Sequence, residues 1–471
     1  MDARGIGLAS PSDPVARSLY EIRQAIHPRA VRGWFAAWRW TLVWATQLVF
    51  YGAAWIEWSG RQAVLFDLVN RKFYIFGLVL WPQDFIYLTA LLVISALSLF
   101  LFTAVAGRLW CGYACPQTVY TEIFLWIENR IEGDRNQRMK LDRSPLTARK
   151  FGLKAAKHAT WGAIGLWTGF TFVGYFTPIR ELLAESATLS LGPWETFWVF
   201  FYGFATYGNA GWMREQVCKY MCPYARFQSA MFDRDTLVIA YDAERGEPRG
   251  SRSKGADPGS LGLGSCVDCG ICVQVCPTGI DIRNGLQYEC IGCAACIDGC
   301  DQVMEKVGYP KGLIRYATTN AVEQHLTRAQ MFVRSFRPRV LAYSALLWVV
   351  IAAVGASLWM RVPLKVDVIR DRAAISREVA GGYIENVYRL QIMNTAEKDR
   401  RFLVRVEGLP AAVLAGDASF SLAGASTDMA TVKVRTRAGD LPAGTHKVRF
   451  VVEAEDDAHV VVDEKSVFIV R

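Results

Sequence analysis

Residues 266–300 read CVDCGICVQVCPTGIDIRNGLQYECIGCAACIDGC and hold eight of the chain's 12 cysteines. The two halves repeat at an offset of 24 residues: Cys266-x2-Cys269-x2-Cys272-x3-Cys276 is matched by Cys290-x2-Cys293-x2-Cys296-x3-Cys300. Three thiols so close in one tight loop can meet three corners of an iron–sulfur cubane, with the loop N–H groups aimed at its sulfurs. Small residues let the backbone approach: Gly270 in the first loop, and Gly292, Ala294 and Ala295 in the second. In runs of this spacing the fourth Cys ligates the other cluster. The expected ligands are therefore Cys266, Cys269, Cys272 and Cys300 for one [4Fe–4S] cluster, and Cys276, Cys290, Cys293 and Cys296 for a second. Structural zinc takes two CxxC pairs at wide spacing instead.

The run has the form of a bacterial two-cluster ferredoxin module, placed at 265–304. One position departs from that form. Pro277 follows the first motif, whereas Asp301 follows the second, which leaves the local turn open. Upstream, residues 244–264 (ERGEPRGSRSKGADPGSLGLG) have the Gly, Pro, Ser and charge of a flexible linker. Downstream, 305–339 is a mixed connector.

Five runs have the length and apolarity to span a bilayer, near Trp38–Trp55, Phe85–Ala106, Thr160–Phe176, Phe197–Trp212 and Val340–Met360. The composition agrees: 52% hydrophobic, 13% aromatic, mean hydropathy +0.16. Four of the spans fall in a membrane region, 34–243, and the fifth at 340–360. Orientation follows from Lys and Arg. Arg108, Arg130, Arg135, Arg138, Lys140, Arg143, Arg149, Lys150, Lys154 and Lys157 lie between spans two and three, against Arg180 alone between three and four. The N-terminal segment 1–33, the 107–158 loop and 214–339 are thus expected in the cytoplasm, and five spans put the C-terminus outside. Every thiol then lies on the reducing side. Residues 1–33 lack the short apolar core of a secretory signal. The net charge of +9 comes with no nucleic-acid motif, so a lipid bilayer is the expected partner.

The remaining four cysteines form two matching pairs, Cys111-Gly-Tyr-Ala-Cys115-Pro116 and Cys218-Lys-Tyr-Met-Cys222-Pro223. Each is preceded by an arginine, Arg108 or Arg214, and each sits at the cytoplasmic end of a span. On one helix, residues i and i+4 share a face, and two thiols so placed can bind a soft cation or cycle through a disulfide. Thiolates select ions such as Cu(I), and a nearby Arg favours the thiolate. A buried Cys is otherwise a small hydrophobe. His158, at the same depth, is a candidate further ligand, and Met221 a weaker one. No CxxCH haem motif, Walker loop or GxGxxG after a strand is present.

Beyond Pro363 the period changes to two. VYRLQIM (387–393), FLVRVEGL (402–409), TVKVRT (431–436), HKVRFVVEA (446–454) and HVVVDEKSVFIV (459–470) alternate apolar and polar residues between short turns. This predicts an antiparallel sandwich over 361–471. The predicted architecture is thus multi-domain: an α-helical membrane protein with an inserted ferredoxin-like module and a C-terminal all-β domain.

With both CxYxCP motifs, YECIGCAACIDGCDQVM (288–304), GYPKGLIRYAT (308–318) and the C-terminal sandwich, the chain resembles the CcoG/FixG (RdxA-like) cytochrome c oxidase accessory proteins over nearly its whole length. Asp301 fits that family. The resemblance implies a membrane polyferredoxin of the bacterial inner membrane that reduces Cu(II) to Cu(I) for assembly of cbb3-type oxidase. It implies Cys111, Cys115, Cys218 and Cys222 as the copper site, an immunoglobulin-like periplasmic C-terminal domain, and the oxidase or its copper-delivery factors as partner. The cytosolic electron donor is open, and so is the oligomeric state, a homo-oligomer included. Two rival readings stand beside this one: a quinol-linked electron-transfer subunit similar to NosR/NapH, and a non-catalytic assembly scaffold with sensory clusters.

Overall fold

The computed structural model describes residues 26–252, 259–371 and 376–471. Most of the expected N-terminal segment, and residues 253–258 of the expected linker, lie outside the described residues. The chain forms two compact units. One comprises the residues through Thr46 with Phe102–Gly165 and Phe204–Val340; the other comprises Gln47–Leu101, Leu166–Gly203 and Leu341–Arg471.

Helices cover the five hydrophobic runs: Trp34–Ala53, Phe85–Ala106, Ala148–Val173, Pro193–Thr206 and Pro338–Trp359. Two regions, Pro82–Ala106 and Pro338–Trp359, are long and apolar enough to cross a membrane. Most of their apolar side chains are exposed, Ile86, Leu91 and Leu92 among them. A surface apolar all round needs an apolar surrounding. The fourth run ends as an α-helix at Thr206 and continues as a π-helix over Tyr207–Met213.

In the first unit the cysteine-rich module is closed by a sheet the sequence did not announce. Val238–Tyr241 pairs antiparallel with Ile314–Ala317, Ile239 opposite Tyr316. The strands come from either side of the eight cysteines, so the folded module begins before the linker and ends inside the expected connector. Ile239, Ile282, Ile297, Met304, Leu313 and Ile314 form its core. The described part of the linker is tied down at both ends: Ser265 donates to the Arg245 carbonyl at 2.7 Å and Gly264 to that of Pro248 at 2.8 Å. Asp301 resolves the departure noted above. It keeps the N–H that Pro lacks, and the helix Ala295–Val307 runs straight through it. Its Oδ1 accepts the Gly312 N–H at 2.8 Å. After the first motif, Pro277 allows only the short helix Ile271–Gln274.

The second unit holds the sandwich. One sheet orders Val413–Ala415, Thr427–Arg437, Tyr383–Asn394 and Leu364–Arg370, with Arg377–Val379 also paired to Tyr383–Asn394. The other orders Ser419–Leu422, Arg400–Glu407, Gly444–Ala454 and Asp457–Val470. The inward faces meet over Tyr388, Leu390, Phe402, Val432, Phe450 and Phe468, all fully buried. A further antiparallel sheet, Val64–Asp67, Lys72–Ile75 and Leu78–Leu80, went unseen in the sequence. Val79 and Trp81 pack on Met393 of the sandwich. Beside them, buried Asp84 accepts from Arg361 at 2.8 Å and Lys365 at 2.5 Å.

Candidate iron–sulfur centre and adjoining thiols

The 24-residue repeat is present in the backbone as well as in the letters. Asp268 and Gly292 both have positive φ, +51° and +70°, as do Gly270 and Ala294, +63° and +59°. These left-handed positions curl each loop so that its thiols converge. Gly292 is glycine for a second reason: a Cβ there would stand 3.0 Å from the Arg108 carbonyl oxygen.

Two cavities lie inside the module, of about 330 and 320 Å³ counting their open solvent. Cys266, Cys269, Cys272 and Cys300 line the first, with Arg283 and Met304. Cys276, Cys290, Cys293 and Cys296 line the second, where Cys272 also reaches. The crossover has a simple cause: helix Ala295–Val307 carries Cys300 back to the first loop. Four thiols around an otherwise largely apolar void are the donor set of a [4Fe–4S] cluster, and the two quartets fit one such cluster each. Among the described residues, no group of three or more His, Cys, Asp or Glu draws together around a single ion; the quartets surround voids instead. Burial pushes Cys272 up to about 11, against the pull of Arg283, and pushes Cys290 and Cys300 up to about 12. These thiols hold their protons until metal displaces them.

The CxYxCP motifs are read differently once folded. Cys111 lies on the short helix Leu109–Tyr113, while Cys115 is the N-cap of the next helix, Pro116–Ile131. Cys218 lies on the π-helical turn Val217–Met221, and Cys222 caps Pro223–Met231. The expectation of one helix face is therefore corrected. Proline starts a helix readily at its first position because its missing N–H is not needed there, so each Cys-Pro opens a new helix.

The four thiols lie near enough to repel one another as anions. Cys111 Sγ donates to Gln228 Oε1 at 3.4 Å, and Gln228 belongs to the helix that Cys222 caps, so the two motifs are bridged. Thr118 Oγ1 donates to the Cys111 carbonyl at 2.5 Å. Burial pushes Cys111 up to about 11, although Gln228 and Arg108 oppose it, and pushes Cys218 up to about 12. Arg108 favours both thiolates, as the sequence argument expects, but the desolvation cost exceeds its attraction.

Both motifs abut the second quartet. Cys111 and Cys218, like Cys296, pack on the buried cluster of Val275, Ile291, Cys293 and Ala295. A cleft of about 980 Å³, counting its open solvent, is bordered by Cys218, Cys293, Arg39 and Glu122. His158 has different neighbours: its Nδ1 meets Tyr207 Oη at 2.9 Å, and its ring lies between Trp161 and Trp212. Met221 is exposed.

Sequence reasoning missed Arg39, buried on helix Trp34–Ala53, whose Nη1 donates to the Cys293 carbonyl at 2.9 Å. The signal was available. Arg39 is the one charge in the Trp38–Trp55 run, and an ionisable residue there asks for a functional reason. Asp298 was missed too; it accepts the Ala36 N–H at 2.8 Å and the Phe35 N–H at 3.3 Å, capping that same helix.

Comparison with known proteins fits this geometry. Residues 213–319 match a family described as a 4Fe-4S dicluster domain, and 88–133 one described as a 4Fe-4S binding domain. Residues 354–471 match the IG-like fold at the C-terminus of FixG. The nitrogen fixation protein FixG of Rhizobium meliloti is 39% identical over 88% of this chain and 84% of its own length. Protein RdxA of Cereibacter sphaeroides is 41% identical over 84% of each. The crystal structure of a FixG-related protein from Vibrio parahaemolyticus aligns with 23% of this chain and 95% of its own, at 19% identity and a TM-score of 0.21.

Proposed function

Because this chain belongs to the family of FixG and RdxA, we propose that it is a membrane-bound iron–sulfur oxidoreductase that reduces Cu(II) to Cu(I) at its membrane-edge thiols. The observation that carries this reading is that Cys111 and Cys218, one from each CxYxCP motif, pack on the buried cluster of Val275, Ile291, Cys293 and Ala295, which includes a thiol of the second quartet. When bound, the clusters supply single electrons, and Cu(II) takes one electron to become Cu(I). The chain's own residues do the rest. Soft thiols retain the reduced ion, Gln228 orients the Cys111 thiol, and the open cleft bordered by Cys218 admits the ion from solvent.

The Lys and Arg bias supports five spans, with both quartets and both thiol pairs on the cytoplasmic side of a bacterial inner membrane and residues 361–471 in the periplasm. The Cu(I) so formed serves the copper centre of a cbb3-type oxidase, directly or through delivery factors.

The test is anaerobic. Purified protein is reduced, Cu(II) is added, and cluster oxidation is followed by EPR beside a Cu(I) chelator. Replacing Cys111, Cys115, Cys218 and Cys222 together by Ser is expected to abolish Cu(I) formation with the iron content unchanged. Undiminished Cu(I) formation in that variant would remove the thiols from the reaction. Wild-type protein that yields no Cu(I) would sink the reading.

A further inference from the structure

The surroundings of the two cysteine-lined cavities differ in charge. Beside the first, Arg283 is held by two carboxylates, Asp281 at 2.7 Å and Asp268 at 2.5 Å, and Asp301 follows its ligand Cys300. Its positive charge is offset locally. Beside the second stand Arg39 and Arg108, 6% and 5% exposed. Arg108 donates to the carbonyls of Tyr288 and Ala225, and Arg39 to that of Cys293. Carbonyl oxygens satisfy a guanidinium without neutralising it. Arg39 also pairs with Glu122 at 3.8 Å and has Asp298 nearby, so its charge is offset in part, whereas the bonds of Arg108 go to carbonyls.

From this we infer that Arg39 and Arg108 raise the reduction potential of the cluster held by Cys276, Cys290, Cys293 and Cys296, drawing electrons to the side of the module where Cys111 and Cys218 lie. Reduction adds one negative charge to a cluster. A fixed cation at short range in a weakly screened interior favours that form. Burial acts in the opposite sense, because desolvation penalises the more highly charged state; the two guanidinium groups offset it. The inference rests on the electron-transfer reading above and says which cluster electrons occupy.

Its test is an EPR-monitored redox titration of the full-length, anaerobically prepared protein. A Cys290→Ser variant identifies the second cluster's signal. In Arg39→Gln, the reduction equilibrium of that cluster is expected to fall about tenfold, ~59 mV for a one-electron couple, with the first cluster unmoved. Arg108→Gln shifts it the same way, and Arg39→Lys restores it. Glu122→Gln, which removes the opposing charge, is expected to shift it upward. Structural damage does not produce opposite signs from two sides of one ion pair, so this variant decides the matter even where Arg39→Gln folds poorly. Unmoved potentials in Arg39→Gln and Glu122→Gln, with iron retained, overturn the inference and leave electron transfer standing. Wild-type protein without iron–sulfur EPR signals overturns both.

Discussion

A Cβ on Gly112 would stand 2.8 Å from the Cα and the N of Cys293. The thiol pair at 111 and 115 therefore meets the second cluster loop backbone to backbone, and only glycine permits it. The atoms in the way belong to main chain, which cannot swing aside. Gly112→Ala is expected to cost about 1–3 kcal/mol through overpacking and to lower the iron bound per chain. Thermal unfolding together with iron analysis checks this. Wild-type values for both would show that the loops part without penalty.

Glu128 ties the helix Pro116–Ile131 to its neighbours. It pairs with Arg138 at 2.9 Å, Arg214 at 3.1 Å and Lys157 at 3.5 Å. Burial opposes its charge, yet Arg214 and Arg138 outweigh burial and hold its carboxyl below the usual range. A depressed carboxyl contributes stability that is complete above the unfolded value, about 4.3, and lost as pH falls through the folded value. Glu128→Gln leaves the buried Arg138 guanidinium and the half-buried Arg214 without their carboxylate and is expected to cost about 3–5 kcal/mol near neutrality. The loss should shrink as the solution is acidified through that window. Denaturant titrations at several pH values test both claims, and a pH-independent loss would refute the second.

On the proposed reading, copper affinity should depend on pH with a definite sign. Cys111 and Cys218 are pushed up to about 11 and about 12 by burial, so both carry protons at neutral pH. Binding as thiolates releases those protons, and Cu(I) affinity should rise by about a factor of ten per pH unit for each thiol displaced. Competition with a Cu(I) chelator between about pH 6 and 8 measures the slope. A flat profile would mean that the ion sits elsewhere.

Asp298 belongs to the cysteine-rich module, yet it caps the helix Trp34–Ala53. Asp298→Ala leaves the Phe35 and Ala36 N–H groups buried without a partner, at a cost of about 1–3 kcal/mol. Asp298→Asn, which keeps an acceptor, should recover most of it. Hydrogen exchange at residues 34–37 would report the loosening directly, and unchanged protection in the alanine variant would argue against the cap.

Some of this molecule was plain in the letters, and the reason is range. A cubane takes three thiols from one tight loop, so Cys266 to Cys300 advertise both quartets within 35 residues. A half-buried strand alternates residue by residue, so Tyr383–Asn394 and Asp457–Val470 announce a sandwich. The sheet joining Val238–Tyr241 to Ile314–Ala317 escaped because each strand is four residues long and its partner lies across the entire module. The helix break inside each CxYxCP motif was foreshadowed by the proline, but the thiol it leaves at an N-cap was not.

Local spacing determined which three thiols of each loop lie together, and the repeat of the two motifs pointed to the fourth, which helix Ala295–Val307 brings back to the first loop. Tertiary structure alone decided what stands beside the second cluster. Arg39, Gly112 and Cys218 are remote from Cys293 in sequence, and a contact made only by packing distant segments leaves no periodic mark on any of them.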